Sequence, residues 1–225
     1  MITNSLQTQN LVFLLLMFIS ALNYTSAQEN DLSVIDISEA RSITDGITVK
    51  VKGVVTVPSG YFASSIPYGF AIQDETAGIY IVDTSEMRKG QFQLGDKVEV
   101  TGIRSESYGL STIKEYQTKK VGVAQKVTPA LVKTGDINES TEGTLISTSG
   151  VIKKMKNDTP YGYKVYIDDG SGIIDIFVNT STGMLKDSSN WQIGKAITVT
   201  GFSSQYGTEY ECDPRVPTDI IVKKD

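Results

Sequence analysis

Residues 92–102 read FQLGDKVEVTG, and residues 191–201 read WQIGKAITVTG, 99 positions further along the chain. Each stretch begins with an aromatic residue, passes through a glycine, and then alternates apolar and polar residues up to a second glycine. Such alternation predicts a half-buried β-strand. The recurrence of so long a pattern predicts that one strand-rich module occurs twice in this chain.

Other landmarks recur in the same order. Gly53 is matched by Gly150 at 97 positions, and Tyr108-Gly109 is matched by Tyr206-Gly207 at 98. Small changes of spacing fall between the landmarks, where loops are expected. The consistent order predicts an internal duplication with a boundary shortly before residue 129.

The chain of 225 residues is long enough for two domains of about 100 residues, each with its own core. We predict the first domain at 33–125 and the second at 127–222. Within the first, residues 47–57 (ITVKVKGVVTV) alternate along a strand that Gly53 interrupts, which suits a bend or a close approach of two backbones. Each copy is predicted to contain about five strands, so the expected fold class is all-β, with two tandem five-stranded barrels.

The first 27 residues are interpreted as a secretory signal peptide. Residues 11–22 form an apolar run of 12 residues, and no Asp, Glu, Lys or Arg occurs before residue 29. Because a membrane-spanning helix needs about 20 residues, we expect cleavage, secretion to the extracellular space or periplasm, and no stable membrane span afterwards. An uncleaved anchor is the alternative.

Composition excludes several classes of function. The chain has no His, so catalytic triads built on His and His-ligated zinc sites are absent. Cys212 is the only cysteine, which excludes an intrachain disulfide. The net charge is −5, which is unlike a basic domain that seeks polyanions. We predict no catalytic residues, no metal, no cofactor and no enzymatic activity.

The order of strands, glycines and turns resembles the OB-fold, in particular the OB-like modules of secreted microbial proteins that are often attached to extracellular nucleases. The resemblance is carried by IQDETAGIYI at 72–81, YIDDGSGII at 166–174 and LGDKVEVTGI at 94–103. It implies two tandem OB-type barrels. Such barrels hold nucleic acids, oligosaccharides or proteins, so the resemblance indicates the fold more strongly than the ligand.

Single-strand-binding OB domains use aromatic side chains to stack bases and basic side chains to hold phosphates, on strands two and three and on the loops after strands one and four. The predicted nucleic-acid-binding residues of the second copy are Lys153, Lys154, Lys156, Tyr161, Tyr163 and Lys164, and those of the first copy are Lys50, Lys52, Tyr68 and Tyr80. Weak binding of single-stranded nucleic acid is therefore the leading hypothesis. The alternative for the second copy is a solvated run of lysines with tyrosines in a turn, and Tyr68 is as compatible with the core as with a site.

A cell-surface module that binds a glycan or a protein is the second hypothesis. The uncharged loop VPSGYFASSIPYG at 57–69 carries Tyr61 and Phe62, which suit sugar faces or a protein surface better than phosphate. The oligomeric state is left open.

The remaining chemistry-bearing residues have simpler interpretations. Asp168, Asp169 and Asp175 could hold a hard cation in a metal-dependent nuclease, but DDGSG is also ordinary turn chemistry, and we favour the turn. Trp191, the only tryptophan, is interpreted as a packing anchor because Phe92 occupies the matching position. Cys212 is expected to be a packed thiol.

Overall fold

The structure of the protein is a computed structural model, and it describes residues 32–62, 69–82, 90–184 and 191–223. By its contacts the part of the chain from Val34 onward forms one compact unit, Val34–Asp225, and both barrels belong to it. The interpreted signal peptide and Tyr68 lie outside the described residues. Among the residues described, no helix has the length and apolar character needed to span a bilayer.

Five strands form a closed barrel in the order β1-β2-β3-β5-β4. Their bounds are β1 Thr48–Val57, β2 Gly69–Gln73, β3 Gly78–Val82, β4 Asp96–Ser107 and β5 Leu110–Val123. Neighbouring strands are antiparallel except β3 and β5, which pair in parallel. This is the Greek-key arrangement of the OB-fold.

The second barrel repeats this order, with β7-β8-β9-β11-β10 closed by pairing of β10 with β7. Its strands are β6 Ala130–Leu131, β7 Leu145–Asp158, β8 Gly162–Asp168, β9 Ile173–Asn179, β10 Ala196–Tyr206, β11 Glu209–Asp213 and β12 Ile220–Val222. Strands β6 and β12 flank the ring on β7 and β10. The predicted all-β class with two five-stranded barrels is confirmed, whereas the predicted domain boundaries stay predictions.

Each barrel encloses its own apolar core, as strand alternation predicts. On β1, Val49 and Val51 are 2% and 0% exposed and face the first core. Phe92 packs in the first core and Trp191 in the second, which confirms the anchor interpretation. The paired strands β7 and β8 approach closely at Gly150, where a Cβ would lie 2.8 Å from the backbone nitrogen of Asp168.

In each barrel, an Asp in the turn between the second and third strands accepts hydrogen bonds from the segment that precedes the barrel. In the first, α1 (Ile37–Ser42) lacks a side-chain cap of its own, and Asp74 Oδ2 accepts from Ile37 N at 2.8 Å. In the second, Asp169 Oδ1 accepts from Thr134 Oγ1 at 2.7 Å and from Ser171 N at 2.9 Å. These bonds confirm the turn interpretation of DDGSG.

The two barrels pack directly against each other. Phe202 of β10 is fully buried, and its ring centroid lies 6.2 Å from that of Phe62 and 5.8 Å from that of Tyr80, both in the first barrel. Polar contacts border this cluster, since Arg41 Nη1 pairs with Glu142 Oε1 at 3.0 Å. Apolar packing and ion pairing together join the barrels into one unit.

Candidate ligand-binding cleft

Two tyrosines at equivalent hairpins of the two barrels meet at one end of this interface. Tyr108 lies in the β4–β5 turn and Tyr206 at the end of β10, with ring centroids 5.1 Å apart and an interplanar angle of 28°. The backbone N–H of Gly207 donates to Tyr108 O at 2.6 Å. Tyr108 has φ +52° and Gly109 has φ +90°, as a two-residue hairpin turn requires at both central positions.

These rings form one wall of a cleft of about 490 Å³ that both barrels line. Tyr161, in the β7–β8 loop, stands on its rim, and Thr180 Oγ1 holds that loop by donating to Tyr161 O at 3.0 Å. The aromatic cleft, as we name it, is lined by Tyr108, Lys156, Asp158, Thr159, Tyr161, Lys164, Phe177, Tyr206 and Glu211. Its three tyrosines are 53–65% exposed, so their rings are open to a ligand.

The floor of the aromatic cleft holds a buried charge cluster. Lys164 Nζ lies 2.7 Å from Asp175 Oδ2, 4.0 Å from Glu211 Oε2 and 5.5 Å from the centroid of Phe177. These side chains converge because β8, β9 and β11 are neighbours and Glu211 and Asp175 are paired across the last two strands. Lys164 is thereby held by carboxylates and is only 16% exposed, which leaves it little access to phosphate.

Burial and charge shift the ionisation of these groups. Burial raises the pKa of Glu211 to about 8, with a further contribution from the negative charge of Asp175. Burial by itself would lower the pKa of Lys164, but the hydrogen bond to Asp175 and the charges of Asp175 and Glu211 raise it above its usual value. At neutral pH, Glu211 is therefore mainly a neutral carboxylic acid, able to donate and to accept hydrogen bonds.

The other lysines of the second copy lie along β7 and have partners nearby. Lys156 Nζ is 3.3 Å from Asp158 Oδ1, and it is the one of the three that lines the aromatic cleft. Lys154 Nζ lies 5.2 Å from the centroid of Tyr166. Lys153 Nζ is 4.0 Å from Asp168 Oδ2. All three lysines remain on the surface. Of the residues predicted in the second copy, Lys156, Tyr161 and Lys164 line the aromatic cleft.

Several predicted contact residues are placed elsewhere. Tyr80 is 0% exposed because the second barrel covers its outward face, so it cannot stack a ligand. Tyr163 is partly buried against the second core, because strand alternation turns it inward with Val165. Phe62, predicted for glycan binding, is also 0% exposed. Tyr80 and Phe62 are thus enclosed by protein, whereas Tyr163 is only partly buried and its role as a contact stays a prediction.

The predicted lysines of the first copy do not line the aromatic cleft. Lys50 pairs with Glu99 at 3.2 Å across β1 and β4, and Lys52 is exposed on the same strand. Both lie on the first barrel's outer surface.

Sequence reasoning missed Tyr108 and Tyr206, which it treated only as landmarks of the duplication. Both follow the fourth strand of a barrel, one of the two loop positions at which OB-folds bind ligands. That rule, applied to the Tyr-Gly pairs, could have found them. No signal in the sequence alone could have shown that the two hairpins meet.

Comparisons with known proteins find similar folds among solved structures but no matching family and no matching curated protein. Among solved structures, the S. pombe Stn1-Ten1 complex matches at 18% identity over 36% of this chain and 59% of that chain, with a TM-score of 0.32. This chain thus spans about three fifths of the matched chain's length.

Two further structures match one part of the chain each. The hypothetical protein ygiW from E. coli is 18% identical over 40% of this chain and 90% of that chain, with a TM-score of 0.31. The OBody AM1L10, in a structure bound to hen egg-white lysozyme, is 15% identical over 44% and 100%, with a TM-score of 0.37. Similarities of this size carry no argument about what the present chain binds.

Proposed function

We propose that this protein is an exported, non-enzymatic binding protein that holds a non-anionic oligosaccharide in the aromatic cleft. The observation that carries the proposal is the convergence of Tyr108, Tyr161 and Tyr206 around a cleft with a mixed polar floor. The apolar leader supports export, and the OB topology supports a binding role on the general ground that such barrels hold oligonucleotides and oligosaccharides.

The chemistry of the cleft suits a sugar. Sugar rings present C–H faces that pack on exposed tyrosines, and hydroxyl groups that need both donors and acceptors. The floor offers both, through the Lys164 ammonium group and the Glu211 carboxyl group. The lining combines four aromatic side chains with five polar or charged ones, and aromatic walls with convergent polar groups are a feature of ligand pockets.

The electrostatics of the cleft favour a non-anionic ligand over a phosphate backbone. Phosphate contacts dominate the affinity of proteins for nucleic acids. Here Lys164 is already held by Asp175, and Lys156 lies beside Asp158. Each lysine of the cleft is thus already paired with an Asp carboxylate.

Single-stranded nucleic acid is the second candidate ligand. Its specific support is that Tyr161 and Lys156 share the cleft while Lys153 and Lys154 continue the basic row along β7. Bases could stack on the tyrosines at about 1–3 kcal/mol each. Such binding would fade as salt is raised.

A paired titration tests the proposal and separates the candidates. The full chain is screened against neutral oligosaccharides and against a labelled oligothymidylate, at low and moderate salt. We expect a neutral oligosaccharide to bind with little salt dependence. Tyr206→Ala should weaken it about tenfold or more, as removal of a central aromatic contact does, and Tyr206→Phe, which keeps the ring, should retain most of the affinity.

Two outcomes of the same titrations would reject the proposal. Binding of the oligonucleotide alone, lost in a variant with Lys153, Lys154 and Lys156 all changed to Ala, would reject the oligosaccharide and favour nucleic acid. Binding of a neutral oligosaccharide that is indifferent to Tyr206→Ala would reject the aromatic cleft as the site.

A further inference from the structure

A second cavity, of about 360 Å³, lies beside the aromatic cleft. Tyr166, Ile173, Asp175, Glu209 and Tyr210 are among the residues that line it. The two sites are adjacent because Asp175, which lines the second cavity, bonds through Oδ2 to Lys164, which lines the aromatic cleft. Asp175 therefore stands between the two sites.

The carboxylate of Asp175 is only half satisfied. The residue is 5% exposed, and its Oδ1 is buried without a hydrogen-bond partner among the described residues. A buried acceptor in this condition is unfavourable and rare in folded proteins. A donor that entered the second cavity would remove the deficit.

The surroundings of Asp175 favour a donor with positive charge. Glu209 adds an exposed carboxylate to the lining, and the ring of Tyr166 lies opposite Asp175 across β8 and β9. Burial, together with the negative charges of Asp175 and Glu209, raises the pKa of Tyr166. Two lysines lie beside the second cavity, Lys164 at Asp175 and Lys154 above the Tyr166 ring, so the excess of negative charge around this cavity is moderate.

The side chains that line the second cavity favour an organic cation over a metal ion. Among the described residues, no group of three or more His, Cys, Asp or Glu side chains is placed to hold a metal. An ammonium group brings several N–H donors for separate carboxylates, and aromatic rings attract it.

We propose that the second cavity takes a primary ammonium group carried by the bound ligand, so that the preferred oligosaccharide contains an amino sugar with a free amine. This inference rests on the proposed function for its choice of ligand, but the cavity itself can be probed with a simple amine. In the bound state the ammonium group donates to Asp175 and to Glu209 beside the Tyr166 ring.

The test compares three probes on the full chain. A glucosamine tetramer and its fully N-acetylated form are titrated by calorimetry at pH 6.5, and n-butylammonium is titrated by NMR at the amides of Ile173 and Glu209. We expect the free-amine tetramer to bind more tightly than the acetylated one. Glu209→Gln should weaken the free-amine tetramer about fivefold and leave the acetylated one unchanged. Glu75→Gln, the same charge change on an exposed turn of the first barrel, should alter neither.

The outcomes separate the two proposals. Equal affinity for both tetramers, with no n-butylammonium shifts at the cavity, would overturn the ammonium site while leaving the aromatic cleft in place. Shifts by n-butylammonium that vanish in Glu209→Gln, with no binding of either tetramer, would support the ammonium site and overturn the oligosaccharide proposal.

Discussion

Replacing Phe202 with Ala should weaken the packing between the two barrels and lower the stability of the unit that they form. The side chain belongs to the second barrel, is 0% exposed, and packs against Phe62 and Tyr80 of the first. Truncation of a buried Phe to Ala typically costs about 3–5 kcal/mol, of which about 0.5–1.5 kcal/mol per pair comes from aromatic geometry. With a urea m-value of about 1–3 kcal/mol/M, the unfolding midpoint should fall by about 1 M or more.

Two probes make the measurement informative. Trp191 is the only tryptophan and lies in the second core, so its fluorescence reports that barrel, whereas far-ultraviolet circular dichroism reports the whole chain. Because the barrels form one packed unit, the two transitions should coincide in the wild-type protein. In Phe202→Ala both should move to lower urea.

A matched aromatic truncation provides the control. Tyr206 is 54% exposed and stacks on Tyr108, its one ring partner within the described part of the chain, so Tyr206→Ala should cost less than about 1.5 kcal/mol. The reasoning is refuted if Phe202→Ala costs no more than this control, or if the wild-type transitions are well separated.

Two further predictions concern pH and capping. In the native protein Glu211 keeps its proton up to a pKa of about 8, whereas in the unfolded chain Glu releases its proton near pH 4.3, so the free energy of unfolding should fall as pH rises between these values. Urea unfolding at pH 5 and pH 8.5 should show a smaller fall in the free energy of unfolding for Glu211→Gln than for the wild-type protein. An equal fall in the two proteins would contradict the assignment to Glu211. Burial by itself would raise the pKa of Asp74, but bonds from Ile37 N, Thr76 and Ala77 N lower it, so its stabilisation is complete above about pH 3.9 and is lost as pH falls through the lower native value. Asp74→Ala should therefore cost about 1 kcal/mol or more at neutral pH and almost nothing in strong acid, as thermal unfolding at the two pH values would show.

The sequence predicted the barrels well because their signals are local. Alternation on β1 placed Val49 and Val51 in the core, and the match of Phe92 with Trp191 identified equivalent anchors. Period-two patterning and recurring glycines depend on the backbone of one strand and its neighbour. Such features can be read without knowing how the barrels meet.

The candidate site was predicted only in part because it depends on contacts distant in sequence. Alternation turned Tyr80 outward, and exposure would have followed if Phe202 had not covered it. Likewise, Lys164 is a plausible phosphate contact until the pairing of β9 with β11 encloses it between Asp175 and Glu211. Burial by another domain, or by a strand that is distant in sequence, has no local signature.

The central claim is that one non-anionic oligosaccharide contacts both hairpin tips of the aromatic cleft. It is tested most directly by titrating the isotopically labelled full chain with the neutral oligosaccharide that binds best and following the amides of Tyr108, Gly109 and Gly207. The account predicts that signals from both barrels shift together along one binding curve, with little dependence on salt. Shifts confined to the lysines of β7, or to one barrel alone, would contradict it.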